Sequence, residues 1–303
     1  TYGVCEIISC RSVGERVFGG DVVIVFTAAQ LKGKIKYFAK QKNLDARILL
    51  RIYMMERFLE RITNSNYVDK IVIKGGVLIT SMIGISLRST MDIDTSIQEF
   101  KLSKQNVQTM IQEIINIDIS DGVIFQIREF SEIMDNMEYP GLRVSIDAII
   151  DEMKVPFKVD LSTGDAITPS AIEYKYRLMF EDRKILLKSY NIETILAEKL
   201  QTILSRGILN TRMRDFYDIH VLMSIYKDDI DKDIMKKSFS RTCSNRKTFY
   251  VMESGNLIID KIAREKYLKN LWVLYQKKYE YAQPIDYETV VYSILVLFKI
   301  VEL

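Results

Sequence analysis

Arg88-Ser89-Thr90-Met91-Asp92-Ile93-Asp94 and the residues that follow, Thr95-Ser96-Ile97, decide how the rest of the chain is read. From Asp92 to Ile97 polar and apolar residues alternate as they do in a half-buried strand. Side chains two apart on a strand share a face, so Asp92 and Asp94 lie together, roughly 6.5–7 Å apart along the backbone. Ile93, Thr95 and Ile97 then face a core. Two carboxylates tilted to about 4 Å repel by roughly 4 kcal/mol at an effective dielectric of about 20. A divalent cation offsets that repulsion, and Mg²⁺ favours one or two carboxylates plus substrate phosphates. Taken alone, the pair fits a strand face with two solvated acids equally well.

Three further features bear on that choice. Asp160 sits in Val155-Pro156-Phe157-Lys158-Val159-Asp160-Leu161, a second strand candidate. A single acid in such a run is ordinarily a strand-end or hydrogen-bonded residue. Beside a pair on a neighbouring strand, it completes the set that two-metal phosphoryl chemistry uses. Lys74-Gly75-Gly76 lies between a strand and a helix, where glycines admit close approach of a ligand and free helix N–H groups suit phosphate. Neither a Walker A loop nor a GxGxxG fingerprint occurs in the chain. Finally, Ala197-Glu198-Lys199 and Arg212-Met213-Arg214-Asp215-Phe216-Tyr217-Asp218 fall on two amphipathic helices. Lys199 can face a nucleotide phosphate there, with Asp215 orienting Lys199 or Arg214, although solvated helix faces would look the same.

Around these motifs the pattern predicts helices from Gln30 and from Asp45, a good N-cap residue. The second carries Ile48, Ile52, Met55, Leu59 and Ile62 on one stripe and leaves Arg51, Glu56, Arg57, Glu60 and Arg61 outside it. Four or five strands with helices between them follow, at Lys70–Lys74, Asp92–Ile97, Val123–Phe130, Leu142–Ile150 and Val155–Leu161. After Tyr190 only helices are expected: Glu193–Arg206, Met213–Tyr226, Asp231–Ser240, Asn256–Tyr279 and Tyr287–Val301. This is an α+β sheet unit followed by a helical bundle. The expected divisions are residues 1–26, a lead segment with no function assigned, residues 27–190, and residues 191–303.

Composition narrows the chemistry. Of 303 residues 48% are hydrophobic and 27% charged, and 43 basic against 40 acidic residues give a net charge of +3, which neither demands nor forbids a nucleic-acid partner. His220 is the only histidine, which argues against Ser-His-Asp hydrolysis, HExxH chemistry and multi-histidine metal sites. Cys5, Cys10 and Cys243 form no Cys-x-x-Cys pair, and a reducing cytosol is the simplest setting. No apolar run reaches the roughly 18–20 residues of a membrane span. Catalysis is left to carboxylates, lysines, arginines and hydroxyls.

Taken in order, Ile73-Lys74-Gly75-Gly76, Arg88 to Asp94, Lys158-Val159-Asp160, Glu193 to Lys199 and Arg212 to Asp218 resemble the AbiEii/AbiGii toxin family of bacterial abortive-infection toxin–antitoxin pairs. The segment Gln30–Ile62, with Tyr53-Met54-Met55-Glu56-Arg57-Phe58-Leu59, is similar too. The resemblance implies a DNA polymerase β-like nucleotidyltransferase sheet with flanking helices and a helical C-terminal domain. It implies a nucleoside triphosphate, with GTP linked to this branch in particular, and Mg²⁺ held by Asp92 and Asp94. Asp160 matches the third carboxylate, Lys199 the triphosphate contact, and Asp215 a supporting acid. Relatives act on RNA, in some cases at the 3′ end of tRNA, and an antitoxin acts without a stable complex. The usual Gly-Ser of the phosphate turn is here Gly75-Gly76-Val77, so a serine contact is missing.

The expected activity is therefore a phage-defence toxin that transfers a nucleoside monophosphate from NTP to an RNA hydroxyl. Lys74, Gly75, Gly76 and Lys199 would hold phosphates, and Arg88 would neutralise the transferring group. Transfer to a small molecule or protein, or a GTP-binding regulator without catalysis, would use the same residues. Basic side chains of the C-terminal helices, among them Arg246 and Lys247, either guide a nucleic acid or are solvated.

Overall fold

The computed structural model describes residues 14–18, 21–133 and 141–302; Cys5 and Cys10 lie outside them. Gly14–Phe18 (β1) and Asp21–Val25 (β2) pair as an antiparallel hairpin, a short β element within the lead segment. Helix α1 (Ala28–Lys42) opens on a capping box between Thr27 and Gln30, and α2 (Ala46–Thr63) on the Asp45 side chain, which accepts from the Arg47 N–H. The remaining elements of the first half are β3 (Ile71–Lys74), α3 (Gly75–Ile83), β4 (Asp92–Ile97), α4 (Lys104–Ile115), β5 (Ile124–Ile133), β6 (Gly141–Ile150), β7 (Met153–Ser162), β8 (Ile172–Arg177) and β9 (Lys184–Ser189).

Strands β3 to β9 form one mixed sheet in the order β5-β6-β7-β4-β3-β9-β8. Only β4 with β7 and β3 with β9 run parallel. Seven strands exceed the four or five expected. The two missed ones are β8, Ile-Glu-Tyr-Lys-Tyr-Arg, and β9, Lys-Ile-Leu-Leu-Lys-Ser. Both are short and charge-rich. β8 is an edge strand with an exposed face, so its apolar content is low.

Helix α2 buries more than the expected stripe. Glu56, Arg57, Glu60 and Arg61 were placed outside that stripe, yet all four are buried. The helix is enclosed by the sheet on one side and by α1 and α4 on others. Its charges are matched internally. Arg61 makes a bidentate pair with Asp121, both bonds at 2.8 Å. Arg57 reaches Glu181 at 2.8 Å and Glu60 at 3.1 Å, while Arg183 pairs with Glu60 at 2.7 Å.

After Ser189 the chain is helical: α5 (Ile192–Arg206), a 3-10 turn (Gly207–Leu209), α6 (Met213–Tyr226), α7 (Lys232–Asn245), α8 (Tyr250–Arg264), α9 (Lys266–Lys278) and α10 (Tyr287–Val301). The single helix expected over Asn256–Tyr279 is two. Glu265 ends α8 with its N–H on the Ile262 carbonyl and starts α9 by accepting from the Tyr267 N–H. Without proline or glycine at the break, periodicity ran through it.

Trp272 on α9 is fully enclosed, donating Nε1–H to the Ile285 carbonyl at 2.9 Å and stacking on Tyr275 with centroids 5.3 Å apart. Tyr275 and Tyr281 in turn lie against Tyr217 of α6. Among the described residues no helix is long and apolar enough to cross a membrane.

Candidate active site

The parallel pairing of β4 with β7 sets Asp94 directly opposite Asp160, with Asp92 opposite Lys158. Period-two alternation then puts Asp92 and Asp94 on one face beside Asp160. Ile93, Thr95 and Ile97 are buried on the other face, as the alternation requires. Burial and the nearby charges of Asp160 and Asp94 together raise the pKa of Asp92 above the ordinary carboxylate value. Negative charge is thus concentrated at this end of the two strands.

Asp160 is already engaged. Arg143, its cross-strand partner on β6, donates Nε–H to one carboxylate oxygen at 2.7 Å and a terminal N–H to the other at 2.6 Å. That fork holds the Arg143 pKa above its ordinary value. Asp94 accepts from the Gly76 N–H at 2.9 Å, tying β4 to the first turn of α3. Gly75 has φ +58°, and a Cβ there would collide with the Asp94 carboxylate. This position admits only glycine, for conformation and for space.

A cavity of about 250 Å³ opens over these strands. Lys74, Gly75, Asp94, Asp160, Lys199 and Asp215 line it, together with Glu198, Arg212 and Arg246. Six of the nine residues expected at a site are therefore gathered. Asp92 is beside the cavity rather than in its wall. Gly76 and Arg88 lie behind it. Arg88 is buried, pairs with Asp218 at 2.7 Å and donates to the Gly76 carbonyl at 2.8 Å. Its guanidinium is occupied in joining the turn before β4 to α6, not in facing a ligand.

Lys199 stands between two acids of α6, Asp215 at 2.8 Å and Asp218 at 2.6 Å. Burial disfavours its charge, yet the two carboxylates hold its pKa above the ordinary lysine value. Asp218 is held down at about 2 against its own burial by Arg88 and Lys199. Arg212, not Arg214, is the arginine on Asp215, at 2.7 Å, while Arg214 donates to the Tyr279 hydroxyl. Lys74 is paired with Asp165 at 2.7 Å; burial opposes its charge, but Glu198 and Asp165 keep it protonated.

Asp218, Asp165, Glu198 and Arg143 had no assigned role in the sequence, and Arg246 was expected only as a nucleic-acid guide or a solvated side chain. For Asp218 a signal existed: three residues after Asp215, it shares that helix face. Arg143 and Asp165 become visible only with strand register. His220 is a packing residue, its Nδ1 2.8 Å from the Ser293 hydroxyl.

The donor set suits a hard cation at Asp92 and Asp94: at Asp92, burial and the charges of Asp160 and Asp94 outweigh the nearby Lys158 and Arg143. At Asp160 both oxygens are shared with Arg143. Accordingly, among the described residues, no three His, Cys, Asp or Glu side chains are placed as a ready metal group.

The sequence model of the family described as nucleotidyl transferase AbiEii toxin, type IV TA system, matches residues 57–291. The chain belongs to the AbiEii nucleotidyltransferase toxin family. It is a nucleotidyltransferase of a type IV toxin–antitoxin system. The match spans the carboxylate strands, the glycine turn and the helices carrying Lys199 and Asp215. Two crystal structures from Helicobacter pylori are similar to this AbiEii chain: one described provisionally as a nucleotidyltransferase, the other as JHP933. Each is 15% identical with a TM-score of 0.47, over 85% of this chain and 97% or 94% of the other. Among curated proteins, none matches.

Proposed function

We propose that this AbiEii protein transfers a nucleoside monophosphate from a nucleoside triphosphate to a hydroxyl on RNA, releasing pyrophosphate. The observation that carries the reading is the register of β4 with β7. It puts Asp92, Asp94 and Asp160 on one face at the mouth of a cavity whose far wall bears Lys199. Asp92 and Asp94 would hold Mg²⁺, with Asp160 joining them once Arg143 yields its oxygens. Bound there, Mg²⁺ would lower the pKa of the acceptor hydroxyl and offset charge on the triphosphate.

The chain's own groups do the rest. Asp215 and Asp218 hold the Lys199 ammonium charged and fixed, ready to share hydrogen bonds with a phosphate. Of the two glycines, Gly75 borders the cavity and would present its backbone to phosphate in place of the absent serine contact, while the Gly76 N–H stays on Asp94. Arg143, released from Asp160, is free to meet the transferring phosphoryl group, the role first expected of Arg88. GTP is the nucleotide favoured by the family resemblance, and tRNA the acceptor class. No stable antitoxin complex is implied.

The test is incubation with each labelled NTP, Mg²⁺ and total RNA, alongside Asp94→Ala. Label entering RNA with the intact protein alone supports the reading. Label appearing in a small molecule or protein instead would redirect it. Tight NTP binding with no transfer across a broad acceptor set would exclude an enzyme of either kind. Asp94→Ala should fold normally and transfer nothing.

A further inference from the structure

Helix α5 leads out of the cavity. Lys199 is in the cavity wall, and Ser205, six residues on, is displaced along the axis by about 9 Å. The segment Arg246–Tyr250 runs beside this helix in the same direction. Arg246 donates to Gln201 at 2.6 Å and to Thr202 at 3.1 Å, Thr248 accepts from Gln201 at 3.0 Å, and the Tyr250 hydroxyl donates to the Ser205 carbonyl at 3.3 Å. The segment is thus tied to α5 at two places, at Gln201 and Thr202 near the cavity and at Ser205 beyond it.

At its outer end, large apolar side chains face solvent. Phe249 is 57% and Tyr250 52% exposed, and on the adjoining 3-10 turn Ile208 is 42% and Leu209 82% exposed. The Tyr250 hydroxyl reaches the Ser205 carbonyl just before that turn, which itself packs on α8, so the two exposed groups are neighbours. The patch is bordered by cations: Arg206 and Lys247 are exposed, and the Arg212 side chain is 52% exposed between patch and cavity. Against these stand Asp215, paired with Arg212, Glu198, paired with Arg246, and the exposed Glu253.

We propose that this patch docks the unpaired end of the RNA acceptor. Bases would stack on Phe249 and Tyr250, phosphates would meet Arg206, Lys247 and Arg212, and the terminal hydroxyl would pass Arg246 into the cavity. The proposal rests on the RNA-acceptor reading above. Aromatic rings interleaved with cations recognise single-stranded nucleic acid because every base offers a π face and every linkage a charge. An exposed apolar patch also suits a protein partner, but continuity with the cavity and the basic border favour a polyanion that must enter it.

The experiment measures anisotropy of a labelled single-stranded RNA oligonucleotide on the full chain, with NTP binding and sedimentation in parallel. Phe249→Ala and Tyr250→Ala should each weaken RNA binding by roughly tenfold with NTP binding unchanged, and Tyr250→Phe, which keeps the ring but drops its bond to Ser205, should bind RNA as the wild type does. Phe249→Trp should restore affinity. RNA bound equally by the wild type and both alanine variants overturns the platform alone. A wild type that binds NTP but no RNA overturns the acceptor reading, and the platform with it. A wild-type dimer that Phe249→Ala converts to monomer without altering RNA affinity assigns the patch to a second copy and overturns the proposal.

Discussion

Asp160 and Arg143 show how much a single contact can alter the meaning of a residue. The acid was legible in the sequence by its type and its apolar flanks. The arginine across the sheet was not, because it depends on which residue of β6 faces which residue of β7. Removing it gives a test that needs no substrate: Arg143→Ala should bind Mn²⁺ several-fold more tightly than the wild type in calorimetry without nucleotide. Unchanged affinity would mean that Asp160 takes no part in holding a cation. Gly75 was expected to admit close approach of a ligand; what lies against it in the structure is the Asp94 carboxylate, and its left-handed φ was not foreseeable. Gly75→Ala should cost about 1–3 kcal/mol of stability and displace Asp94, with nucleotide transfer lost. Normal activity in Gly75→Ala would show that the turn tolerates a side chain.

At the scale of elements, the periodicities located nearly every helix and the carboxylate-bearing strands, because each buries one face. They failed where an element is enclosed on more than one side. Helix α2 reads as amphipathic, yet its second face meets Asp121, Glu181 and Arg183, residues at least 60 positions away in sequence. Asp121→Ala would strand Arg61 in the interior and should cost roughly 3–5 kcal/mol in denaturant unfolding. Glu56 makes a pH-dependent counterpart. Burial raises its pKa from 4.5 to about 8, so folding takes up a proton between those values. Its contribution is complete below about pH 4.5 and declines as pH rises to about 8, by at most about 5 kcal/mol. Glu56→Gln should therefore flatten the decline of melting temperature across that window; an equally steep decline in the variant would assign it to another group.

At the scale of the whole molecule, the site depends on two halves being clasped. Arg88 and Asp218, separated by 130 positions, lock the approach to β4 against α6, and the Tyr217 and Tyr226 hydroxyls donate to the Leu87 and Met82 carbonyls nearby. No local pattern could reveal that clasp: Arg88 was expected to face the transferring group, and Asp218 has no role until the helices are packed on the sheet. Asp218→Ala should leave Arg88 without its partner and lower stability by about 3–5 kcal/mol, and should also loosen Lys199. Because the Asp218 pKa is held at about 2, its stabilising effect is present above the ordinary value of 3.8 and vanishes as pH falls towards 2. The variant should thus lose its disadvantage in acid, which unfolding curves at neutral and low pH would reveal.

The chain holds a single tryptophan, and its position has an optical consequence. Trp272 is shielded from water, stacked on Tyr275, and linked through that ring to Tyr217, the neighbour of the clasp residue Asp218. Emission excited selectively at the indole, apart from the 17 tyrosines, therefore arises at one place, next to the joint between its halves. A red shift on adding denaturant would record that joint coming apart, while the sheet, which holds no tryptophan, stays silent at that wavelength.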